Sequence, residues 1–168
     1  EPERVTVEMK RFLIREEYCM GCGLCRVYCQ AAHSRSKDIV KAFKKEGPRP
    51  VPRINIERKD EVSFPVQCRH CTEAWCVSAC LTGALRKDAS TGIVTVDSDR
   101  CMGCWTCLLA CPNGALSRDT GSGLIVKCDM CPGEETPACV ANCPNEALVL
   151  CEEGVCAAAM LQRECEKA

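Results

Sequence analysis

The stretch Cys101-Met-Gly-Cys104-Trp-Thr-Cys107-Leu-Leu-Ala-Cys111-Pro112 reads C-x2-C-x2-C-x3-C-P without a departure. This is the bacterial iron–sulfur run, in which three cysteines hold one cubane cluster and the fourth ligates the other cluster of a pair. Two short spacers let a tight loop fold three thiolates onto three corners of one cube. Gly103 has no Cβ and is expected to let the backbone pass close to inorganic sulfide. Pro112 fixes φ and steers the chain after the fourth cysteine. A zinc knuckle needs only four ligands around one ion and usually separates its cysteine pairs by a longer loop, so it suits this run less well.

Three relatives of this run flank it. Cys19-x2-Cys22-x2-Cys25-x3-Cys29 repeats the spacing but is followed by Gln30 instead of proline. Cys68-x2-Cys71-x4-Cys76-x3-Cys80 and Cys128-x2-Cys131-x7-Cys139-x3-Cys143 lengthen only the middle spacer. In every group the last two cysteines are four apart, about 6 Å along the axis of a helical turn, so the third thiolate faces one cluster while the fourth reaches towards another. A short turn follows three of the groups: Leu81-Thr-Gly-Ala-Leu85, Pro112-Asn-Gly-Ala-Leu116 and Pro144-Asn-Glu-Ala-Leu148. Strand-like residues at 93–96, 124–126 and 148–150 come after them. The chain is thus an internal repeat of cluster loop, short helix, turn and strand. Each unit is too small to bury a core, so the metal and the neighbouring units must supply it.

Nineteen cysteines among 168 residues would mean a disulfide scaffold in a short secreted protein. Triplets of cysteines two residues apart suit metal better than pairwise bridging. No apolar signal stretch precedes the charged opening at Glu1 to Arg4, and no run of eighteen apolar residues could span a membrane. A reducing compartment, the cytoplasm, is therefore expected. The formal charge of −1 counts thiols as neutral. Four oxidised cubanes, each adding two negative charges with its thiolates, bring the loaded protein to roughly −9. Nucleic acid is thereby a poor partner, and the lysines and arginines are better used against cluster charge and partner surfaces.

The segments between the groups carry weaker signals. Residues 5–15 are rich in β-formers and read as one opening strand or two. Residues 34–67 lack cysteine; they begin with a basic run, Arg35 to Lys45, read as a solvated helix face, and continue through Gly47-Pro-Arg-Pro-Val-Pro52, which cannot be helix interior. Residues 54–56 and 62–64 pair as a hairpin across a turn at 58–60, and residues 86–92 form a plain turn. His33 is expected to cap or hydrogen-bond near a cluster, not to ligate iron. His70, inside a ligand loop, suits either a hydrogen bond to sulfur that tunes potential or simple packing. Trp75 is expected to shield a cluster from water. Cys151, Cys156 and Cys165 are one short of a cubane site and read as unligated thiols on a short C-terminal helix, with a disulfide or a metal shared across a subunit interface as the alternatives.

With its groups laid out, the chain resembles the four-cluster electron-transfer subunits of dimethyl sulfoxide reductase, formate dehydrogenase and formate hydrogenlyase. The ferredoxin-like partners of carbon monoxide dehydrogenase and of tungsten aldehyde oxidoreductases belong to the same broad family. The resemblance covers Tyr18 to Leu150 and is carried by the spacing series, by Cys68-Arg-His-Cys71, and by Cys111-Pro112 and Cys143-Pro144. It implies four [4Fe-4S] clusters with nested sharing. Cys19, Cys22, Cys25 and Cys143 would hold one, and Cys68, Cys71, Cys76 and Cys111 a second. Cys101, Cys104, Cys107 and Cys80 would hold a third, and Cys128, Cys131, Cys139 and Cys29 a fourth. The implied fold is α+β: two bacterial-ferredoxin-like modules of short strands and short helices wrapped around the clusters. The outer module takes residues 1–33 plus 124–150 and the inner one 68–123, with 34–67 inserted and 151–168 as a tail. Gln30 and Leu81 depart from the proline usual after a fourth cysteine.

A cubane bound only by thiolates has no open coordination position, so it passes single electrons and does not readily bind substrate. No nucleophile–base pair, Walker loop or dinucleotide fingerprint appears. The expected role is non-catalytic: electron transfer between a catalytic oxidoreductase subunit and a second carrier or flavoprotein. The catalytic subunit would be a molybdenum or tungsten enzyme, carbon monoxide dehydrogenase or a hydrogenase. A freely diffusing polyferredoxin and a zinc-stabilised interaction module are the alternatives.

Overall fold

Cysteine loops cut the secondary structure into short pieces throughout the computed structural model, which describes residues 10–152. Strand β1 (Lys10–Ile14) runs through a 3-10 turn into the first loop, and helix α1 (Leu24–Ala32) follows. The cysteine-free segment forms α2 (Ile39–Lys44) and a hairpin of β2 (Ile54–Lys59) with β3 (Val62–Gln67). The remaining groups alternate helix and hairpin: α3 (Trp75–Ser78), β4 (Leu85–Lys87), β5 (Val94–Val96), α4 (Thr106–Ala110), β6 (Ser117–Arg118), β7 (Ile125–Val126), α5 (Ala138–Ala141) and β8 (Leu148–Glu152).

All strands pair in antiparallel twos: β2 with β3, β4 with β5, β6 with β7, and β1 with β8. The last pair joins the two ends of the described chain, Lys10 opposite Glu152 and Ile14 opposite Leu148. Two-stranded sheets are marginal in water, and no helix among the described residues exceeds the nine residues of α1. Packing must therefore hold the elements, and the packing is largely sulfur. One apolar core joins Phe12, Ile54 and Leu148 to Cys25, Cys29, Cys68, Cys128 and Cys139. A second joins Leu85, Val94, Leu116 and Ile125 to Cys107. The result is a small α+β fold of ferredoxin type.

Several expectations shift in detail. The opening strand starts at Lys10 among the described residues, and residues 5–9 of that expectation lie outside them. α1 begins at Leu24 and carries both Cys25 and Cys29. In the other three groups the helix ends before the fourth cysteine, so only the first group keeps its last two thiols on one helix. Pro112 and Pro144 follow two of these cysteines and cannot continue a helix. The second hairpin turns at Asp60–Glu61, two residues later than expected. Arg86 and Lys87 belong to β4, because Arg86 pairs with Thr95.

The four C-x2-C turns share one backbone feature. The residue before the second cysteine lies in the left-handed region each time: Gly21, His70, Gly103 and Met130, with φ of 67°, 47°, 69° and 65°. Gly103 is needed for a second reason besides its left-handed backbone. A Cβ there would sit 2.5 Å from the Gly123 carbonyl oxygen. Gly103→Ala is therefore expected to cost about 2–4 kcal/mol, from left-handed strain plus overpacking. Gly114→Ala, at φ 57° with nothing within 4 Å, should cost only about 1–2 kcal/mol. Thermal unfolding of the two loaded variants compares them directly; equal losses would leave the Gly123 contact without a role.

Candidate iron–sulfur sites

The sixteen cysteines of the four groups are all free thiols. Cys19, Cys22, Cys25 and Cys143 line one recess together with Ile56 and Pro65. Cys68, Cys71, Cys76 and Cys111 line another. In both, three thiols come from one loop and the fourth from a segment far away in sequence. Burial pushes the Cys107 thiol up to about 11, and the thiols of Cys80, Cys101 and Cys104 add to it. Burial likewise drives up the Cys139 thiol, with Cys128, Cys29 and Cys131 as its nearest charged neighbours. Thiols this deep are poor thiolates by themselves and good ones beside a cation.

Backbone amides serve the fourth thiol of each group. Leu85 N–H donates to Cys80 Sγ at 3.5 Å, Ala115 N–H to Cys111 Sγ at 3.5 Å and Ala147 N–H to Cys143 Sγ at 3.2 Å. These come from the short turns after each group, whose Gly83, Gly114 and Glu146 are left-handed. The first group lacks that turn, and its donor comes from elsewhere: Arg53 N–H reaches Cys29 Sγ at 3.2 Å. The cysteine-free segment is thus built into the site. An amide aimed at sulfur stabilises the thiolate and raises a cluster's potential.

His33 caps α1 and bonds the Cys29 carbonyl at 2.7 Å and Asp129 Oδ1 at 3.1 Å. Burial alone would depress its pKa, but Asp129 and Cys29 outweigh it and lift the imidazole to about 9. Asp129 also pairs with Arg53. His33, Asp129 and Cys131 lie close enough to hold an ion, yet a protonated imidazole has no lone pair for a metal. This network holds the segments carrying Cys29, Arg53 and Cys131 together.

His70 is 2 % exposed, and its Nδ1 accepts from Val94 N–H at 2.9 Å. Burial, helped by Lys127 and Arg11, brings its pKa down to about 3. The neutral ring therefore carries its proton on Nε2, which has no protein partner; Gln67 Nε2 and Trp105 Nε1 are buried without partners as well. Three orphaned N–H donors among buried thiols suit an acceptor that protein atoms do not supply, as cluster sulfur is. The donor set and these N–H groups together fit [4Fe-4S] clusters.

Two aromatic and terminal expectations change. Trp75 lines the recess of Cys68, Cys71, Cys76 and Cys111, but it is 61 % exposed. It forms a rim and does not seal the recess, because α3 is a single turn at the surface. Cys151 is no unligated tail thiol. It lies in β8 opposite Arg11 and is disulfide-bonded. Cys156, Cys165 and the expected C-terminal helix lie outside the described residues.

The model of the 4Fe-4S dicluster domain matches residues 60–153, more than half of the chain. The chain belongs to the 4Fe-4S dicluster family. Its curated relatives include the electron transport protein HydN of Escherichia coli strain K12, 36% identical over 84% of this chain and 87% of that protein. An iron-sulfur protein of Rhodospirillum rubrum is 33% identical over 79% of this chain and 76% of that one. The thiosulfate reductase electron transfer subunit PhsB of Salmonella typhi is 34% identical over 79% of this chain and 70% of that subunit. As a 4Fe-4S dicluster protein the chain binds [4Fe-4S] clusters through its cysteines. No helix among the described residues is long and apolar enough to cross a membrane.

Proposed function

We propose that the protein is a non-catalytic electron-transfer subunit carrying four [4Fe-4S] clusters in a row. Single electrons pass along it between a catalytic oxidoreductase subunit and a second carrier or flavoprotein. The names of HydN and PhsB, an electron transport protein and an electron transfer subunit, support the role. The catalytic partner is a molybdenum or tungsten enzyme, carbon monoxide dehydrogenase or a hydrogenase. The sixteen free thiols suit the cytoplasm, although Cys151, outside the four groups, is disulfide-bonded.

The observation that supports this reading is the placement of the thiols, with Cys19, Cys22, Cys25 and Cys143 around one recess and Cys68, Cys71, Cys76 and Cys111 around another. In this reading each of four quartets is linked internally, and the quartets follow one order. After burial, the Cys25 thiol feels Cys22, Cys19 and Cys143; Cys139 feels Cys25 besides its own quartet; and Cys128 feels Cys68. The quartets of Cys76 and Cys107 share a core with Cys80 and Cys111. The row then runs from the Cys19 quartet through the Cys128 and Cys68 quartets to the Cys101 quartet. Cys22 and Cys104, the two exposed thiols among the sixteen, fall at its opposite ends, where electrons would enter and leave.

In this reading residues 1–33 with 124–150 wrap the outer pair of clusters and 68–123 the inner pair. The insertion 34–67 braces the outer module, and 151–168 is the tail. Anaerobic iron and sulfide analysis with an EPR-monitored redox titration tests it. Four reducible clusters per chain are expected, and fewer would end the proposal. Co-purification with one fixed oxidoreductase separates a dedicated subunit from a free polyferredoxin, and a colourless zinc protein would exclude both.

A further inference from the structure

Lys127 is 3 % exposed, a rare position for an ammonium group. Its Nζ donates to the Cys128 carbonyl at 2.6 Å and to the Val94 carbonyl. These two bonds use two of its three N–H donors and neutralise none of its charge. No carboxylate pairs with it among the described residues, and neighbouring Asp129 is engaged by Arg53 and His33. A buried cation without a counter-ion is strongly unfavourable, so the site requires negative charge that no carboxylate among the described residues supplies.

The thiols around it can supply that charge. Lys127 adjoins Cys128 in the chain, and Val94, whose carbonyl it bonds, lines the recess of Cys68, Cys71, Cys76 and Cys111. Cys76 belongs to the Cys68 quartet and Cys128 to the quartet completed by Cys29. Lys127 acts on both from one point. Val94 ties the point together, its N–H held by His70 of the second cysteine group and its carbonyl by Lys127 beside the fourth.

We propose that Lys127 is the buried counter-cation shared by the two central clusters, a positioning residue that raises both their potentials and eases electron passage across the middle of the row. The inference rests on the four-cluster reading above. A cation near a cluster favours its reduced form, which carries one more negative charge, and low interior polarity leaves that attraction weakly screened. The two end clusters lie beyond the quartets it touches and should feel it much less.

The test is an EPR-monitored redox titration of the full-length, anaerobically prepared protein, wild type against Lys127→Gln, Lys127→Met and Lys127→Arg. With iron and sulfide retained, the neutral variants should shift two of four reduction equilibria at least tenfold towards oxidised, about 59 mV for a one-electron couple. Lys127→Arg should move them much less. Four unchanged potentials, four equal shifts, or an Arg variant shifted as far as the neutral ones would each overturn the inference. Loss of iron from both neutral variants with retention in Lys127→Arg would support it, since the charge alone distinguishes them. Loss from all three would overturn it in favour of packing. Fewer than four clusters in the wild type would instead strike the four-cluster reading itself.

Discussion

Cys111→Ser is expected to behave like Cys76→Ser and unlike Cys107→Ser, although Cys111 stands four residues from Cys107 and 35 residues from Cys76 in the chain. Its thiol closes the recess lined by Cys68, Cys71 and Cys76, and its charge acts on Cys76. Serine is a poor donor to iron because its hydroxyl gives up a proton far less readily than a thiol. Changing groups that merely support a metal ligand costs about 10–100-fold in affinity, so replacing a ligand should cost at least that. Loaded Cys111→Ser should lose or alter one cluster signal, the same one lost in Cys76→Ser. Cys80→Ser, by the mirror argument, should match Cys107→Ser, because Cys80 acts on Cys107. EPR spectra of the four reduced variants decide this. If Cys111→Ser matched Cys107→Ser, each loop would hold its own cluster and the crossing of the fourth cysteines would be wrong.

Stripping iron should unfold the protein. Five of the ten buried residues of the larger core are cysteines, and around them, among the described residues, stand only two-stranded sheets and helices of nine residues or fewer. Without iron, buried thiols such as Cys25 and Cys128, pushed up to about 11 and about 12, keep their protons and face one another across recesses with nothing to fill them. Small domains hold about 5–15 kcal/mol of stability in total. Metal binding in structural sites contributes folding energy of the same order, about 10–16 kcal/mol. Anaerobic treatment with a chelator should thus abolish the cooperative thermal transition and most far-UV circular dichroism. A chelated protein still melting cooperatively within a few degrees of the loaded one would show that the polypeptide folds first and the clusters follow.

Much of the site was legible because its geometry is local. Three thiols within seven residues, as in Cys19 to Cys25 and Cys101 to Cys107, can meet one cube whatever the rest of the chain does. The repeated turns after Cys80, Cys111 and Cys143 were legible for the same reason, since each turn's amide bonds the thiol just before it. The hairpin of β2 and β3 showed in its β-branched residues, while its turn position slipped because Arg58 and Lys59 have no feature that excludes them from a strand.

What amino-acid order alone determined is therefore the four cysteine groups, the repeat and the class of cofactor, all consequences of covalent spacing. Tertiary structure alone decided that Arg53 supplies the amide missing after Cys29, that Gly103 yields to the Gly123 carbonyl, that Trp75 stays at the rim, and that Lys127 is buried between two quartets. Arg53 and Cys29, Gly103 and Gly123, and Lys127 and Val94 stand 24, 20 and 33 positions apart. Such contacts depend on how the short elements pack around sulfur, and no spacing within a loop records that packing.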